Sequence, residues 1–334
     1  MQPWVAVGLA AIAFAASIHL VPSDFAQDYL AARAVRNHID PNLPSKNLAV
    51  QYGVPLRVLT SVQTAHPPLV TALAIPFAIV SWPQAEAAWQ LCLCALTVAL
   101  IVAAGIKALD LVMLAPAWIF GLALGNVDAI IVCLCLLALR PDSSRTGIWL
   151  GIATALKVYP ALLLLGLIAT KRYREAAVGM LVAAGLTAAA TVPIGLEGLT
   201  GWLRFIPHNS DSFAVSMMNL SLSKIAALAE LRTVLVTAMG FAAVVLQYGR
   251  GTLDPLLPAI LLVSPLSWLQ SLPLLSNRLT QGELVLAGAC SIILTGSWIS
   301  GRFWVGAIGA AASFTLTALL IVVYCRLVRN HPSQ

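Results

Sequence analysis

Two acids follow the first apolar stretch of the chain, in "SDFAQDYLAARAVRNHIDPN" (Ser23 to Asn42). Ser23 suits a helix N-cap, and a helix beginning at Asp24 places Asp24 and Asp28 one turn apart on one face. Acids in a first helical turn can simply complement the helix dipole. At the mouth of a membrane helix, a carboxylate can instead serve as a general base. Two further charges lie inside apolar runs: Asp128 in "LGNVDAIIVCLCLLAL" and Lys157 in "GIATALKVYPALLLLG". Each costs roughly 2.5–3.5 kcal/mol at mid-membrane on insertion scales, so each should face protein or a wet cavity. Two readings stand for them. They pair with each other, or Lys157 faces an anionic group such as a lipid phosphate. A later polar stretch, "FIPHNSDSFAVSMMNLSLSKIAALA", offers His208, Asn219 and Lys224 for a hydroxylated or phosphorylated ligand, or as plain solvated residues.

The elements that position these residues are membrane helices. Of 334 residues, 60% are hydrophobic and 10% charged, with mean hydropathy +0.91. A soluble domain is about 45–50% apolar and about 25% charged. The apolar segments recur along the whole length, so residues 1–334 read as one integral membrane domain. The net charge of +6 reads as basic loops that set orientation. No basic, aromatic-interleaved patch points to nucleic acid. The six cysteines lie in apolar segments, and the two C-x-C pairs do not share a helix face. Neither a disulfide nor a metal cluster is expected. The N-terminal stretch lacks a basic leader region and reads as a retained first membrane helix.

Apolar spans are expected at 4–21, 67–82, 86–106, 109–121, 122–139, 146–169, 175–194, 232–248, 255–275, 283–299 and 303–325, about 10–11 in all. Two stretches, 22–66 and 195–231, are too long and polar to be turns, and function concentrates in such loops. The basic segment "KRYRE" (Lys171 to Glu175) marks the inner face. Counting from it places both long loops outside and the N-terminus inside. The same parity puts the C-terminus, with Arg326 and Arg329, outside, against the positive-inside rule. Arg33, Arg36, Lys46 and Arg57 in the first outer loop also break that rule unless they have another task. The chain has no Walker A loop, dinucleotide-binding glycine motif, H-E-x-x-H or G-x-S-x-G elbow.

The order of several motifs carries a resemblance. "SDFAQDYLAARAVRNHIDPN" is similar to a D-F-x-x-Y-Y-x-A-A segment ending near D-P. "HPPLVTALAIPFA" resembles a P-P-L helix start, "GLALGNVDAIIVCLCLLAL" a G-Q/N-x-N/D span, and "TGIWLGIATALKVYPALLLL" a G-x-x-x-G-x-x-x-x-x-K-x-x-P span. "NLSL" (Asn219 to Leu222) and "VSPLSWLQSLPLL" resemble an N-x-S element and an S-P-x-S-W span. In this order, over roughly residues 20–275, they resemble the family-87 mannosyltransferases, polytopic C-type glycosyltransferases that use polyprenyl-phosphate sugars.

The resemblance implies an all-α polytopic membrane bundle whose first outer loop holds amphipathic helices at the membrane surface. It implies a multi-pass plasma-membrane enzyme that transfers a sugar, mannose by family association, with inversion. The donor is a polyprenyl phosphate, and the acceptor is a lipid or glycan hydroxyl on the periplasmic or outer side. The family's catalytic carboxylate maps onto Asp24, with Asp28 second and able to raise Asp24 as a like charge. Lys157 maps onto the family lysine. Arg33, Arg57, His66, Lys157, Arg204, His208 and Lys224 are candidates to hold the leaving phosphate, and Asn219, Trp268 and Gln270 complete the substrate-binding set. The donor is a substrate, no cofactor is expected, and no metal is strictly needed because cationic side chains can serve a phosphate-monoester leaving group. The chain departs from the pattern after Trp268, where the family commonly has histidine and this sequence has Leu269, Gln270 and Ser271. Alternatives are a transporter or flippase for a lipid-linked glycan, or a non-catalytic paralogue.

Overall fold

The computed structural model describes residues 2–20, 23–56, 59, 63–140, 143–213, 216, 218–222, 242, 252–264, 268–300 and 303–330. The described residues are mainly helical, with no named strand among them. Helix α1 (Gln2–Leu20) is apolar throughout and leads into α2 (Ser23–Arg36) and α3 (Ser45–Tyr52). These two helices occupy the polar stretch 22–66. Next come the short α4 (Pro68–Ala74), a 3₁₀ turn (Phe77–Ile79) and the long α5 (Trp82–Ala104). Residues 67–82 are therefore not a crossing: Pro76 and the 3₁₀ turn stop the helix after two turns. Helix α5 starts on a capping box between Ser81 and Gln84 and ends on left-handed Gly105.

After α5, the chain folds into helical hairpins. In the first, α6 (Ala108–Met113) and α7 (Ala115–Ala123) rise to a turn at Leu124–Val127, and α8 (Asp128–Ala138) descends. Left-handed Gly125 breaks the helix at that turn. The sequence reads 146–169 as one crossing, but the structure divides it into α9 (Thr146–Leu156) and α10 (Ala161–Ala169). Lys157 is extended (φ −158°, ψ 140°), where a continuing helix would need Pro160 to donate to the Leu156 carbonyl, and Pro has no N–H to donate. Both ends of this segment meet: Arg172 Nη2 donates to Thr146 Oγ1 at 3.2 Å. A straight helix would hold them more than about 30 Å apart. The chain thus enters and returns through the same face.

The region 255–275 behaves likewise. Helix α12 (Leu256–Val263) and the 3₁₀ segment Leu269–Leu275 form its two arms, and Arg278 Nη2 meets Asp254 Oδ1 at their base, 3.1 Å apart. Helix α11 (Tyr173–Phe213) is kinked at Gly195 (φ 80°), so the second long stretch begins as a helix. Helices α13 (Gln281–Ser300) and α14 (Phe303–Asn330) pack as the final pair. The expected span 232–248 lies outside the described residues. Three helices, Trp82–Ala104, Tyr173–Ile206 and Ile308–Asn330, are long and apolar enough to cross a bilayer by length and composition. The chain is an all-α polytopic membrane protein.

The hairpins reconcile the C-terminus with the other basic residues. Gln2 Nε2 donates to the Ile101 carbonyl at 3.1 Å, and Arg140 Nη1 to the Ala103 carbonyl at 2.7 Å. Asn277 Nδ2 donates to the Gly105 carbonyl at 3.5 Å. Arg326 Nη2 donates to the Arg278 carbonyl at 2.7 Å and to Glu283 at 2.8 Å. One end of the bundle, here the basal face, therefore carries the start of α1, Arg140, Arg172, Arg278 and the end of α14. The parity expected from unbroken spans fails because re-entrant segments do not change sides.

At the opposite end, Arg33 and Arg36 find their task. Their Nη1 atoms donate to the Ala78 carbonyl at 2.7 and 3.1 Å, satisfying an orphan acceptor beside the 3₁₀ turn. Arg33 also lies 5.5 Å from the Tyr52 ring centroid. Tyr29 donates to the Val80 carbonyl at 3.0 Å. Phe25 stacks on Trp89 with centroids 4.6 Å apart, and this aromatic seam fixes α2 against the upper part of α5.

Candidate active site

Asp24 stands over the turn between α7 and α8. Its backbone N–H donates to the Leu124 carbonyl at 3.1 Å, and its Oδ2 accepts from Asn126 Nδ2 at 2.6 Å. The Asn126 Oδ1 in turn accepts from the Asp128 backbone N–H at 2.8 Å. Trp89 Nε1 donates to the Gly125 carbonyl at 3.0 Å, which places this turn about two helical turns below the start of α5. Irregular backbone at such depth persists where protein buries it or where it lines a cavity.

Asp28, fully buried, is committed elsewhere. Its Oδ1 accepts from Thr64 Oγ1 at 2.9 Å, and its Oδ2 lies 2.7 Å from His66 Nδ1. The chain that carries Thr64 and His66 is itself fixed to α2, since the Ala65 N–H donates to Gln27 Oε1 at 3.0 Å. The two acids share a helix face as the spacing requires, but they do different work.

Lys157 Nζ meets Asp128 Oδ2 at 2.8 Å, and Ser271 Oγ approaches the same oxygen at 3.4 Å. Pairing with Asp128, one of the two sequence readings, is thus the arrangement in this structure. Lys157 keeps partial exposure while Asp128 has none. The turn Asn126–Asp128, the break at Lys157 and Ser271 in the 3₁₀ arm converge beneath the start of α2.

Burial pushes the Asp24 carboxyl above its ordinary value. The His66 imidazole, the Asn126 hydrogen bond and Lys157 pull the other way without cancelling it, and Asp28 adds the smallest upward push. The like charge of Asp28 is therefore a minor cause beside desolvation. Burial depresses His66, but the Asp28 carboxylate and its hydrogen bond outweigh that and hold the imidazole above its ordinary value.

The remaining sequence candidates are distributed as follows. Gln270 is buried against α7, where a Cβ on Gly121 would fall 2.6 Å from Gln270 Cβ. Asn219 is fully buried. Its Oδ1 accepts from the Ser221 N–H at 3.1 Å, and it forms an antiparallel bridge with Trp268. This bridge brings two motifs far apart in sequence together as structural partners. Arg204 is exposed on α11. His208 lies on the same helix, its side chain outside the described set. Arg57 and Lys224 lie outside the described residues.

Sequence reasoning missed Asn126, Thr64 and Ser271 as site residues. The signal for Asn126 was present: Asn and Asp two residues apart after Gly125 at the end of an apolar run. Thr64 and Ser271 have no comparable signal, because their role comes from the partner that packing brings.

A family model described as Glycosyltransferase family 87 matches residues 64–271. No curated protein matches, and no solved structure matches.

Proposed function

The chain belongs to glycosyltransferase family 87, and from that premise we propose that it transfers a sugar, mannose, from a polyprenyl phosphate to a lipid or glycan hydroxyl. In this reading, the basal face is cytoplasmic and the site at Asp24 opens to the outer side of the plasma membrane. The observation that carries the proposal is that Asp24 is hydrogen-bonded by Asn126, on the same turn that carries the Asp128–Lys157 pair.

Each group has a task in an inverting transfer. The acceptor oxygen attacks the sugar's anomeric carbon, and its proton passes to Asp24. The bond from that carbon to the phosphate oxygen breaks, and the electron pair leaves with polyprenyl phosphate. An ordinary carboxylate is a weak base for a hydroxyl, so a raised Asp24 suits the step. The hydrogen bond from Asn126 fixes one carboxylate oxygen and so aims the other. Charge grows on the phosphate oxygens as the donor bond breaks, and His66 and Lys157 stabilise it. Lys157 also balances Asp128, so donor binding would share its ammonium between two anions.

The test is transfer in nanodiscs, with radiolabelled polyprenyl-phosphate-mannose and a lipid acceptor extract, and Asp24→Asn in parallel. Label moving to a new lipid with wild type alone supports the reading. Equal transfer by Asp24→Asn removes the proposed base.

A further inference from the structure

Two buried polar atoms beside the Lys157–Asp128 pair have no hydrogen-bond partner among the described residues. One is Oδ1 of Asp128, and the other is the hydroxyl of Tyr159. Asp128 has no exposure and Tyr159 has 9%, so bulk water serves neither atom. A buried polar group left unpaired is costly and uncommon. Here the two are complementary, because a carboxylate oxygen accepts and a tyrosine hydroxyl donates.

The two groups are also neighbours. Tyr159 follows Lys157 by two residues, in the break between α9 and α10. Its hydroxyl faces Asp128 and Ser271 without closing a hydrogen bond to either. Ser271 Oγ lies 3.4 Å from Asp128 Oδ2, the oxygen that holds Lys157 Nζ at 2.8 Å. The two ends of that ion pair differ in freedom. The Lys157 side chain is 19% exposed while that of Asp128 has no exposure, and a lysine ammonium moves on a flexible four-carbon stem. A phosphate arriving at the site can draw the ammonium away, but Asp128 can neither follow it nor meet water. A buried carboxylate abandoned by its cation would strongly oppose that movement.

We infer that Tyr159 is a positioning residue that takes over Asp128 when the donor's phosphate engages Lys157. As the ammonium turns to the phosphate, the Tyr159 hydroxyl donates to Asp128 Oδ1, and Ser271 continues to meet Oδ2. No covalent bond changes, and the proton stays on Tyr159. The carboxylate remains buried but hydrogen-bonded, so less opposes the release of Lys157. The hydroxyl is idle in the ligand-free protein and engaged in the bound one. Such a role accounts for an unpaired donor kept next to an unpaired acceptor, where a phenylalanine would fill the same space. The inference rests on the transferase reading above, in which Lys157 serves the phosphate.

The test uses Tyr159→Phe in nanodiscs, with polyprenyl phosphate as the probe, since it is the leaving group of the proposed reaction and binds without turnover. In the ligand-free protein, Tyr159→Phe should melt at or above the wild-type midpoint, because the lost hydroxyl has no partner there. Its affinity for polyprenyl phosphate should fall by about tenfold or more, as expected for a lost hydrogen bond to a charged group. In an Asp128→Asn background, where no charge is abandoned, the same substitution should change that affinity by less than about twofold. Infrared difference spectra with isotope-labelled tyrosine should show a phenol band that shifts when polyprenyl phosphate is added and is missing in Tyr159→Phe. A role in packing alone would move neither the band nor the coupling to Asp128. A lower ligand-free midpoint would show the hydroxyl already bonded and overturn the inference, as would wild-type affinity in Tyr159→Phe. Wild-type protein that binds no polyprenyl phosphate removes the transferase reading as well. Binding that depends on Tyr159, with no sugar transfer, supports the inference and removes the reaction alone.

Discussion

Asn126 donates to Asp24 across 102 residues of chain, with Nδ2 and Oδ2 at 2.6 Å. Its amide orientation is fixed independently, because Oδ1 accepts from the Asp128 N–H. The carboxylate proposed as the base is therefore held by a residue whose own position depends on the left-handed turn at Gly125. Removing a hydrogen bond to a charged group costs about 1.5–3 kcal/mol. Asn126→Ala should lower kcat by about 10- to 150-fold, with little change in either KM. It should also move the acid limb of the pH–rate profile upward, since that hydrogen bond lowers the Asp24 pKa. An unchanged acid limb would separate Asn126 from the base.

Asp24→Asn should cut transfer by about 10²–10⁴-fold and at the same time stabilise the protein at neutral pH. A carboxyl raised by burial favours its protonated form in the fold. Its favourable contribution is present at low pH and is lost as pH rises through the raised value. The thermal midpoint of Asp24→Asn relative to wild type should therefore be highest near pH 7 and fall back toward pH 4. A relative midpoint independent of pH would show that Asp24 ionises freely.

His66 gives the opposite test. Its folded-state value is raised, so its contribution to stability is complete below its ordinary value of about 6.5 and declines as pH climbs through the higher folded value. The stability gap between wild type and His66→Gln should be widest near pH 6 and narrow in alkaline buffer. Thermal unfolding of the two proteins across pH 6–9 measures it, and a gap that widens with pH would contradict the His66–Asp28 pairing.

Lys157→Met leaves Asp128 buried without its cation, a loss of about 3–5 kcal/mol. Asp128→Asn should restore much of that stability in the double variant, as a double-mutant cycle reads directly. Donor affinity should stay weak in the double variant if Lys157 also serves the phosphate. Full recovery of donor affinity would confine Lys157 to a structural role.

Gly147 and Gly151 in "GIWLG" face α11. A Cβ on Gly151 would lie 2.6 Å from the Gly179 carbonyl oxygen, and a Cβ on Gly147 would strike the Glu175 backbone. This close approach of small residues joins α9 to α11 and roots the Lys157 hairpin. Gly151→Val should destabilise by about 1–3 kcal/mol through overpacking. It should weaken donor binding through displacement of Lys157, with the pH profile of Asp24 unchanged. Single cysteines at Ser144 and Arg329 should both be labelled from the basal side by a membrane-impermeant maleimide, because the hairpin returns the chain to the face it left.

By itself, the sequence determined that the chain is helical and resides in a membrane, and that Asp24 and Asp28 share a face one turn apart. These properties follow from composition, from apolar run length and from helical periodicity, all local to the chain. It also exposed Asp128 and Lys157 as charges needing partners. The tertiary structure decided which partners. Run length cannot distinguish a crossing from a hairpin whose two arms are equally apolar, so the break at Lys157 and the return of residues 146–169 to the basal face were hidden. With that break went the true side of the C-terminus. The division of labour between the acids was equally illegible. Asp24 faces Asn126 while Asp28 faces Thr64 and His66, because separate chain segments pack against two positions that local sequence makes alike.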